Sequence, residues 1–197
     1  MNTCAYCDTQ AIYRDRETGD YLCLAHTRLE VVGPSKREPQ PSLDIRLAVP
    51  ADQERIAELA HYFWDEVDVE CFGQSYQVDA LPAFVASDGD EVVGVASYAR
   101  AGDAINLVML NVLPQWQGRG AARELIAAVI GAARAEGAAR LIVATTNDDL
   151  PALGFYQRLG FTITDVLVGQ VLEHHGGIES GFADIPVRDE IQMELRL

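Results

Sequence analysis

The segment Val112-Leu-Pro-Gln-Trp-Gln-Gly-Arg-Gly-Ala-Ala-Arg123 joins an apolar run to a stretch of helical periodicity. The apolar run, residues 104–113, predicts a buried strand that ends at Pro114. Residues 120–136 predict a helix whose apolar face is formed by Leu125, Ile126, Val129, Ile130 and Ala133. We call residues 117–122, between the two, the glycine loop. This order favours an anion site, because the free backbone N–H groups and the dipole of a helix N-terminus attract negative charge.

The glycines of this loop fit a phosphate but do not by themselves identify a nucleotide class. Gly118 and Gly120 would let phosphate oxygens approach the backbone closely. The dinucleotide pattern G-x-G-x-x-G fails, because Arg123 stands where the third Gly or Ala is needed. A Walker loop fails too, because no Gly-Lys-Ser/Thr follows. Two glycines alone are more typical of a turn than of a binding site.

Two longer motifs carry more information. Gln117-x-x-Gly120-x-Ala122, directly after a strand, resembles the pyrophosphate-binding motif of the GNAT acetyltransferases. Phe155-Tyr-Gln-Arg-Leu-Gly-Phe161 is similar to the Phe-Tyr-x-x-x-Gly-Phe of the same family. The resemblance covers about residues 44–197, and Ile185-Pro-Val-Arg-Asp-Glu-Ile191 also resembles the ending of a bacterial subgroup. It implies a GNAT-like α/β fold, with a mixed central sheet and helices on both faces.

The resemblance also implies a binding mode for acetyl-CoA as co-substrate. Acetyl-CoA would lie in a split between the strand that ends at Leu113 and the strand that ends near Thr146. Its pantetheine arm would pair with backbone groups of Leu110 and Val112, and Asn147 would form a hydrogen bond with it. The pyrophosphate would be held by the amides of the glycine loop, namely those of Gln117, Gly118, Arg119, Gly120, Ala121 and Ala122.

Tyr156 is the implied general acid. A phenol near the sulfur can protonate the departing thiolate when its pKa lies above that of the thiol. The alternative is that Tyr156 only packs in the core beside Phe155.

The general base is harder to place, because the strand Ile105–Val112 has no carboxylate. Asn106 and Asn111 could only orient a water. An aromatic and acidic segment follows the first helix of the region, and it would bind an ammonium group and help to remove its proton. Within it, Glu66 is the predicted base. The segment consists of Tyr62, Phe63, Trp64, Asp65, Glu66, Asp68 and Glu70.

Two alternatives to that assignment stay open, and two nearby residues have simple structural roles. The acidic segment could be a solvated helix end with Trp64 in the core. Glu173-His174-His175 could supply a base or line the acceptor mouth, although an exposed loop is the more usual origin of such a stretch. Cys71 is most simply a small buried residue, and His61 a residue of the polar helix face.

The remaining pattern predicts alternating strands and helices. A helix opens at residues 50–52, with Ile56, Leu59, Ala60 and Phe63 on its apolar face. The turn Asp88-Gly89-Asp90 predicts a hairpin between two strands. Further strands are predicted at residues 45–49, 81–87, 92–98, 141–145, 161–168 and 190–195, and a short helix at 149–159.

The N-terminal cysteines predict a separate metal-binding segment. Cys4-x2-Cys7 and Cys23-x2-His26 have the spacing of the two knuckles of a zinc ribbon, and four N/S donors close a structural Zn²⁺ site. The intervening residues 11–22 predict a β-hairpin. Two disulfides cannot form from three cysteines and a histidine. The predicted domains are a ribbon-like segment at 1–32, a Pro-rich linker at 33–43 and an acetyltransferase domain at 44–197.

Composition limits the classes of partner. The 197 residues carry a net charge of −15, and residues 1–32 are themselves acidic, which disfavours nucleic acid. No apolar run reaches membrane-spanning length and no signal-peptide pattern is present, so a cytoplasmic protein is expected. We predict an N-acetyltransferase that acts on a small-molecule or peptide amine, for which a cationic partner would suit the charge. A non-catalytic acyl-CoA sensor is the alternative, and a homodimer stays open.

Overall fold

The computed structural model describes residues 13–14, 21–22, 43–175, 177 and 179–197. Contacts between Cα atoms divide the chain into two units, Met1–Gln40 and Pro41–Leu197. The predicted metal ligands Cys4, Cys7, Cys23 and His26 lie outside the described residues.

In the first unit, two short strands, β1 (Tyr13–Arg14) and β2 (Tyr21–Leu22), form an antiparallel pair. Tyr13 is opposite Leu22, and Arg14 is opposite Tyr21. The chain therefore reverses direction between the two predicted zinc knuckles. This confirms the predicted hairpin at residues 11–22.

The second unit is built on a seven-stranded mixed sheet. Its strands, in chain order, are β3 (Asp44–Leu47), β6 (Ala83–Asp88), β7 (Glu91–Ala101), β8 (Ala104–Val112), β9 (Arg140–Thr146), β10 (Thr162–Leu167) and β13 (Glu190–Arg196). Within the sheet they lie in the order β10-β13-β9-β8-β7-β6-β3. Neighbouring strands are antiparallel except for β8 and β9, which are parallel. Six consecutive residues of β8, Ala104–Met109, are buried, which requires that both faces of the sheet be covered.

Two helices supply most of the apolar cover that the sequence predicts. Helix α1 (Gln53–Trp64) buries Ile56, Leu59 and Ala60, and it follows a 3-10 turn at Pro50–Asp52. The carboxylate of Asp52 accepts a hydrogen bond from the amide of Val49 at 2.8 Å and is paired with the Arg46 guanidinium at 2.7 Å. Helix α2 (Ala121–Ala135) is the crossover between the parallel strands, and it buries Ala121, Leu125, Ile126, Val129 and Ala133.

The C-terminal half adds two shorter helices. Helix α3 (Leu150–Arg158) begins at Asp149, whose side chain accepts a hydrogen bond from the amide of Ala152 at 3.0 Å. It ends before Gly160, which has a left-handed φ of +95°. Helix α4 (Gln170–His175) lies in the connection between β10 and β13.

Several elements were not predicted from the sequence. A hairpin formed by β4 (Asp68–Cys71) and β5 (Gln74–Gln77) follows α1, where we expected only an acidic segment. Helix α4 and the strand pair β11 (Glu179–Ser180) and β12 (Pro186–Val187) interrupt the long final connection. Among the described residues, no helix is long and apolar enough to cross a membrane.

Candidate active site

The sheet opens at its centre. Pairing between the parallel strands β8 and β9 ends at Leu107 and Val143. Beyond that point, within the described residues, β8 stays paired only with β7, and β9 only with β13. The register of β7 and β8 shifts between Ser97 and Tyr98, which leaves Val108 as a bulge at the start of the opening. This is the split that the resemblance to the GNAT acetyltransferases predicts.

Backbone groups of β8 face this opening. The amide of Leu113 donates to the carbonyl of Val93 on β7 at 2.9 Å. Because hydrogen-bonding direction alternates along an antiparallel pair, the N–H and C=O groups of Leu110 and Val112 face away from β7, toward β9. The Val112 carbonyl already accepts a hydrogen bond from Gln117 Nε2 at 2.9 Å. Leu110 and Val112 are therefore oriented as the predicted pantetheine partners would need to be.

The glycine loop lies at the end of the same strand. Gly118 and Gly120 have left-handed φ angles of +72° and +94°, which only glycine adopts without strain. Gly120 precedes the first residue of α2, and its carbonyl accepts the first helical hydrogen bond, from the amide of Glu124. In the described part of the chain no acceptor takes the amides of residues 118–123. A Cβ at Gly120 would meet no atom within 4 Å, so the loop opens onto free space.

The loop also carries local positive charge. The Arg119 guanidinium lies 4.3 Å from the centre of the Trp116 ring. This cation–π contact holds the charge at the loop, beside Arg123 on the first turn of α2. The free amides, the helix N-terminus and two arginines make this end of the site suitable for a pyrophosphate, although the whole chain is acidic.

A cleft of about 950 Å³ lies at the opening between β8 and β9. Its walls come from the end of α1, from β4, β8, β9 and β13, and from α3 and α4. Five carboxylates line it, and no Lys or Arg does so among the described residues. The five are Asp65, Glu66, Glu70, Asp149 and Glu190. The cleft is therefore anionic where the glycine loop is cationic.

Tyr156 of α3 lines this cleft, as a general acid must. Its side chain is only 7% exposed and its ring packs edge-to-face against Phe155 and Phe161, at centroid distances of 5.5 and 5.4 Å. Burial, followed by the negative charge of Asp149, raises the pKa of the Tyr156 hydroxyl above its ordinary value near 10. Both the predicted acid role and the core-packing alternative thus have a structural basis, because the ring packs in the core while the residue lines the cleft.

Asn147 has a different set of contacts from the predicted one. Its side-chain oxygen accepts hydrogen bonds from the amides of Arg188 and Asp189, both at 2.8 Å, and its Nδ2 donates to the carbonyl of Pro186 at 2.9 Å. Asn147 therefore ties the connection before β13 to the end of β9. One amide hydrogen is left for pantetheine, so its predicted role stays a prediction.

The predicted acceptor wall lines the cleft, but in an unexpected form. Tyr62, Trp64, Glu66 and Glu70 all line the cleft. Trp64 is 36% exposed, so the alternative that places it in the core is wrong. Glu66 is exposed and follows Asp65, whose left-handed φ of +62° ends α1. Asp68 and Glu70 belong to a strand and not to a helix end, because β4 begins at Asp68.

The two asparagines of β8 are buried. Asn106 donates a hydrogen bond from Nδ2 to the Tyr76 hydroxyl at 2.8 Å, which fastens the β4–β5 hairpin to the sheet. Its Oδ1 is buried without a partner in the described region. Asn111 lines the cleft. Only Asn111 is thus placed to orient a water beside the reactants.

Cys71 and His61 occupy the places that the sequence predicted, and both also line the cleft. Cys71 is a buried free cysteine, and burial followed by the charge of Glu190 raises the pKa of its thiol to about 12. A thiol held protonated is a poor nucleophile. His61 is exposed on α1.

Two predictions for the final connection need correction. Glu173, His174 and His175 were expected in an exposed loop, but they form the last turn of α4, because the chain continues in helical conformation after Gln170. Their side chains lie outside the described set. Glu190, predicted only as the start of a strand, is a buried carboxylate that lines the cleft. No local signal marks it, because Glu190 falls on the polar phase of the alternating strand pattern, with Gln192 and Glu194.

Comparison with known proteins agrees with this geometry. The model of the acetyltransferase (GNAT) family matches residues 50–161, more than half of the chain. An aminoglycoside N(6')-acetyltransferase type 1 from Stenotrophomonas maltophilia is 32% identical over 136 residues, which are 63% of this chain and 89% of that enzyme. The chain spans 60% of the length of a second curated relative, at 29% identity.

Solved structures share the fold. An IAA acetyltransferase from Bacillus cereus matches with a TM-score of 0.64 and 22% identity, over 79% of this chain and 100% of that one. A GNAT family acetyltransferase from Elizabethkingia anophelis, solved with acetyl-CoA bound, matches with a TM-score of 0.62 and 18% identity, over 80% and 100%. The mixed sheet with flanking helices is therefore a GNAT fold, and the match at residues 50–161 confirms the predicted family: the chain belongs to the acetyltransferase (GNAT) family.

Proposed function

We propose that the protein transfers an acetyl group from acetyl-CoA to a primary amine by direct attack within a ternary complex. The observation that supports this most directly is the shared cleft. It joins the open edges of β8 and β9, the Gln117 end of the glycine loop and the Tyr156 side chain. Acetyl-CoA and an amine could thus meet in one cavity without a covalent acetyl-enzyme.

The chemistry of Cys71 favours direct attack over a two-step route. Cys71 is a nucleophilic residue type in the cleft wall, but its raised pKa keeps it as the thiol at neutral pH. A direct mechanism requires both substrates before the first product leaves. We therefore expect initial-velocity lines that intersect, and a protein mass that does not change when acetyl-CoA is added without an amine. Parallel lines together with an acetyl adduct on Cys71 would exclude this mechanism.

The acceptor proposed for this cleft is a cationic amine. Carboxylates from the end of α1, β4, α3 and β13 surround the space, whereas none of its described lining residues is a Lys or an Arg. An ammonium group would be attracted to such a surface, and the aromatic rings of Tyr62 and Trp64 add faces for a cation. The relative from Stenotrophomonas maltophilia, named as an aminoglycoside N(6')-acetyltransferase, is consistent with a cationic amine.

Acceptor charge can be tested with a matched panel. We expect kanamycin, spermidine and a lysine-containing peptide to be acetylated faster than a neutral amine such as glycinamide or an acidic N-terminal peptide. The difference should decrease at high salt, because screening weakens attraction between a charged ligand and an exposed carboxylate surface. A panel in which the acidic peptide is the best acceptor would contradict the proposed acceptor class.

We propose a structural zinc ion for the N-terminal segment. Its donor set, Cys4, Cys7, Cys23 and His26, has the residue types and the spacing that tetrahedral Zn²⁺ requires. The antiparallel β1–β2 pair reverses the chain between the two knuckles, as a ribbon requires. When bound, zinc would supply folding energy to this segment and no reaction step, since four protein donors leave no open position.

Metal loss and loss of catalysis should therefore be separable. Elemental analysis should find one zinc ion per chain, and Cys23→Ser should lose it because a thiolate donor is removed. A chain that begins near Ser42 should still bind acetyl-CoA, because the glycine loop and the cleft belong to the second unit. A shortened protein that folds but does not bind acetyl-CoA would contradict the proposed division. Full-length protein purified without zinc would contradict the metal site.

A further inference from the structure

We infer that Glu190, and not Glu66, is the catalytic base that takes the proton from the acceptor amine. This inference rests on the proposed transfer to an amine. Four observations carry it: the position of Glu190 at the opening of the sheet, its burial, its hydrogen bonding and its proximity to the opposite wall.

Glu190 is the first residue of β13, the strand that pairs with β9 on the side away from the opening. Its Cα partner on β9 is Thr146, which lies in the part of β9 that no longer pairs with β8. Residues directly opposite each other in a sheet point to the same face. Glu190 and Thr146 therefore lie side by side, and both line the cleft.

The Glu190 carboxylate is fixed and nearly enclosed. The residue is 8% exposed, and its Oε1 accepts a hydrogen bond from Gln192 Nε2 at 2.7 Å. Across residues 43–175, 177 and 179–197, no donor forms a hydrogen bond with Glu190 Oε2. Oε2 is also not one of the fully buried polar atoms that lack a partner, so part of its surface is accessible. One oxygen is thus held while the other remains available to the cleft. A general base needs that arrangement, because its reactive atom must be both positioned and accessible.

Glu66 differs from Glu190 in its exposure and in the kind of segment that carries it. It is exposed, lies in the irregular segment after the left-handed residue Asp65, and so competes with bulk water for any proton. A carboxylate on the rim can attract a cationic substrate, but an enclosed carboxylate interacts with an ammonium group at much lower effective dielectric. We therefore assign attraction to Glu66 and proton transfer to Glu190.

Cys71 and Glu190 line the same cleft, and the electrostatics of Cys71 indicate that the two side chains are near each other. After burial, the charge of Glu190 is the cause that raises the pKa of the Cys71 thiol. Cys71 ends β4 in the acceptor wall, whereas Glu190 begins β13. The two residues therefore belong to different strands but border the one cleft in which an amine would approach the acetyl group.

The proposed step conserves protons and bonds. The ammonium first gives one proton to the Glu190 carboxylate, and the free amine attacks the carbonyl carbon of the thioester. A C–N bond forms, and the C–S bond breaks as the carbonyl returns. Tyr156 gives its hydroxyl proton to the departing thiolate. The second proton leaves the nitrogen of the tetrahedral intermediate and restores the Tyr156 hydroxyl. Glu190 finally releases its proton to solvent, so each turnover yields one amide, one CoA thiol and one proton.

The test compares Glu190→Gln with Glu66→Gln in the full-length protein, using the best acceptor among kanamycin, spermidine and the lysine-containing peptide. We expect kcat of Glu190→Gln to fall about 10²- to 10⁴-fold, the range for a lost general base. Acetyl-CoA affinity should be unchanged. Glu66→Gln should mainly raise the acceptor KM and lower kcat less than about tenfold. Equal or reversed effects on kcat would overturn the assignment, whereas a wild-type protein that acetylates no amine would overturn the proposed function.

The pH profile separates a base from a structural role. Without a base, the rate should rise about tenfold per pH unit up to the pKa of the amine, near 10.4 for a lysine-like acceptor, because only the free amine reacts. The wild-type profile should be flatter between pH 7 and 9. A uniform loss at every pH would show a structural role and overturn the proposal. The other titratable groups that line the cleft in the described part of the chain are His61, Tyr62, Asp65, Glu66, Glu70, Cys71, Asp149 and Tyr156.

One further variant keeps the proposal falsifiable if Glu190→Gln folds poorly, and one further measurement reports on the carboxylate if Glu190→Gln folds as the wild type does. Glu190→Asp keeps the charge but withdraws it by one methylene, so kcat should fall about 10- to 100-fold with the wild-type pH profile. The rate of Cys71 alkylation, followed by mass spectrometry of its peptide, reports on the charge of the Glu190 carboxylate in the absence of an acceptor amine. The thiol should react faster in Glu190→Gln than in the wild type at pH 9, because the removed charge lowers its pKa. An unchanged alkylation rate would place Glu190 away from the acceptor space and overturn the proposal.

Discussion

Acetyl-CoA should bind at least about 100-fold more weakly when Gly120 is replaced by Glu, because the new carboxylate would lie where the pyrophosphate is proposed to bind. The amides of residues 118–123 have no acceptor in the described chain, and Gly120 directly precedes α2. A negative side chain there would repel the ligand and occupy its donors. Isothermal titration with acetyl-CoA measures the effect.

Gly120→Ala is the matched control for that experiment. Both substitutions force a side chain onto a residue with a φ of +94°, so both carry the same backbone strain. Only the Glu variant adds charge, and the Ala methyl group meets no atom within 4 Å. We expect the Ala variant to lose much less affinity. Equal losses would mean that loop conformation, and not anion binding, sets the affinity, and retained affinity in both would remove the motif assignment.

Turnover should fall by about 10²- to 10⁴-fold in Tyr156→Phe, the range for a lost general acid. Phenylalanine keeps the edge-to-face contacts with Phe155 and Phe161 and removes only the hydroxyl. Acetyl-CoA affinity and thermal unfolding should change little, so the loss should appear in kcat. Equal turnover in the variant would show that water or another residue protonates the thiolate.

The pH dependence of the wild-type rate should agree with that role. A general acid works only while protonated, and its contribution is lost as the pH rises through its pKa. Burial and the charge of Asp149 raise the pKa of Tyr156, so the protonated window extends upward beyond pH 10. Between pH 8 and 10, kcat of the wild type should therefore not fall relative to kcat of Tyr156→Phe. A fall in the wild type alone within that range would contradict Tyr156 as the acid.

The sheet and the glycine loop were predictable because their determinants are local. Alternation of apolar strands and amphipathic helices indicates an α/β class, and the two glycines of the loop have the left-handed φ angles that a tight strand-to-helix connection requires. The predicted split follows from the family resemblance, and the register confirms it, with pairing that ends at Leu107 and Val143. Periodicity alone could not have predicted where two strands diverge.

The acceptor side was less predictable because it depends on contacts between distant segments. The β4–β5 hairpin has short strands with mostly exposed residues, so its sequence lacks the apolar alternation that indicates a strand. Its attachment depends on Asn106 and Tyr76, which are 30 residues apart. Glu190 and Asn147 acquire their places through pairing of β13 with β9, which the sequence does not specify.

The central claim, acetyl transfer in the cleft between β8 and β9, is tested most directly by counting both products in one reaction. Protein, acetyl-CoA and each amine of the panel would be incubated together, and CoA thiol and acetylated amine would be quantified by mass spectrometry in the same sample. The account predicts that the two products appear in a one-to-one ratio, at a rate that depends on the amine and is lost in Gly120→Glu. Binding of acetyl-CoA without thiol release for any amine would contradict it and would leave a non-catalytic acyl-CoA sensor.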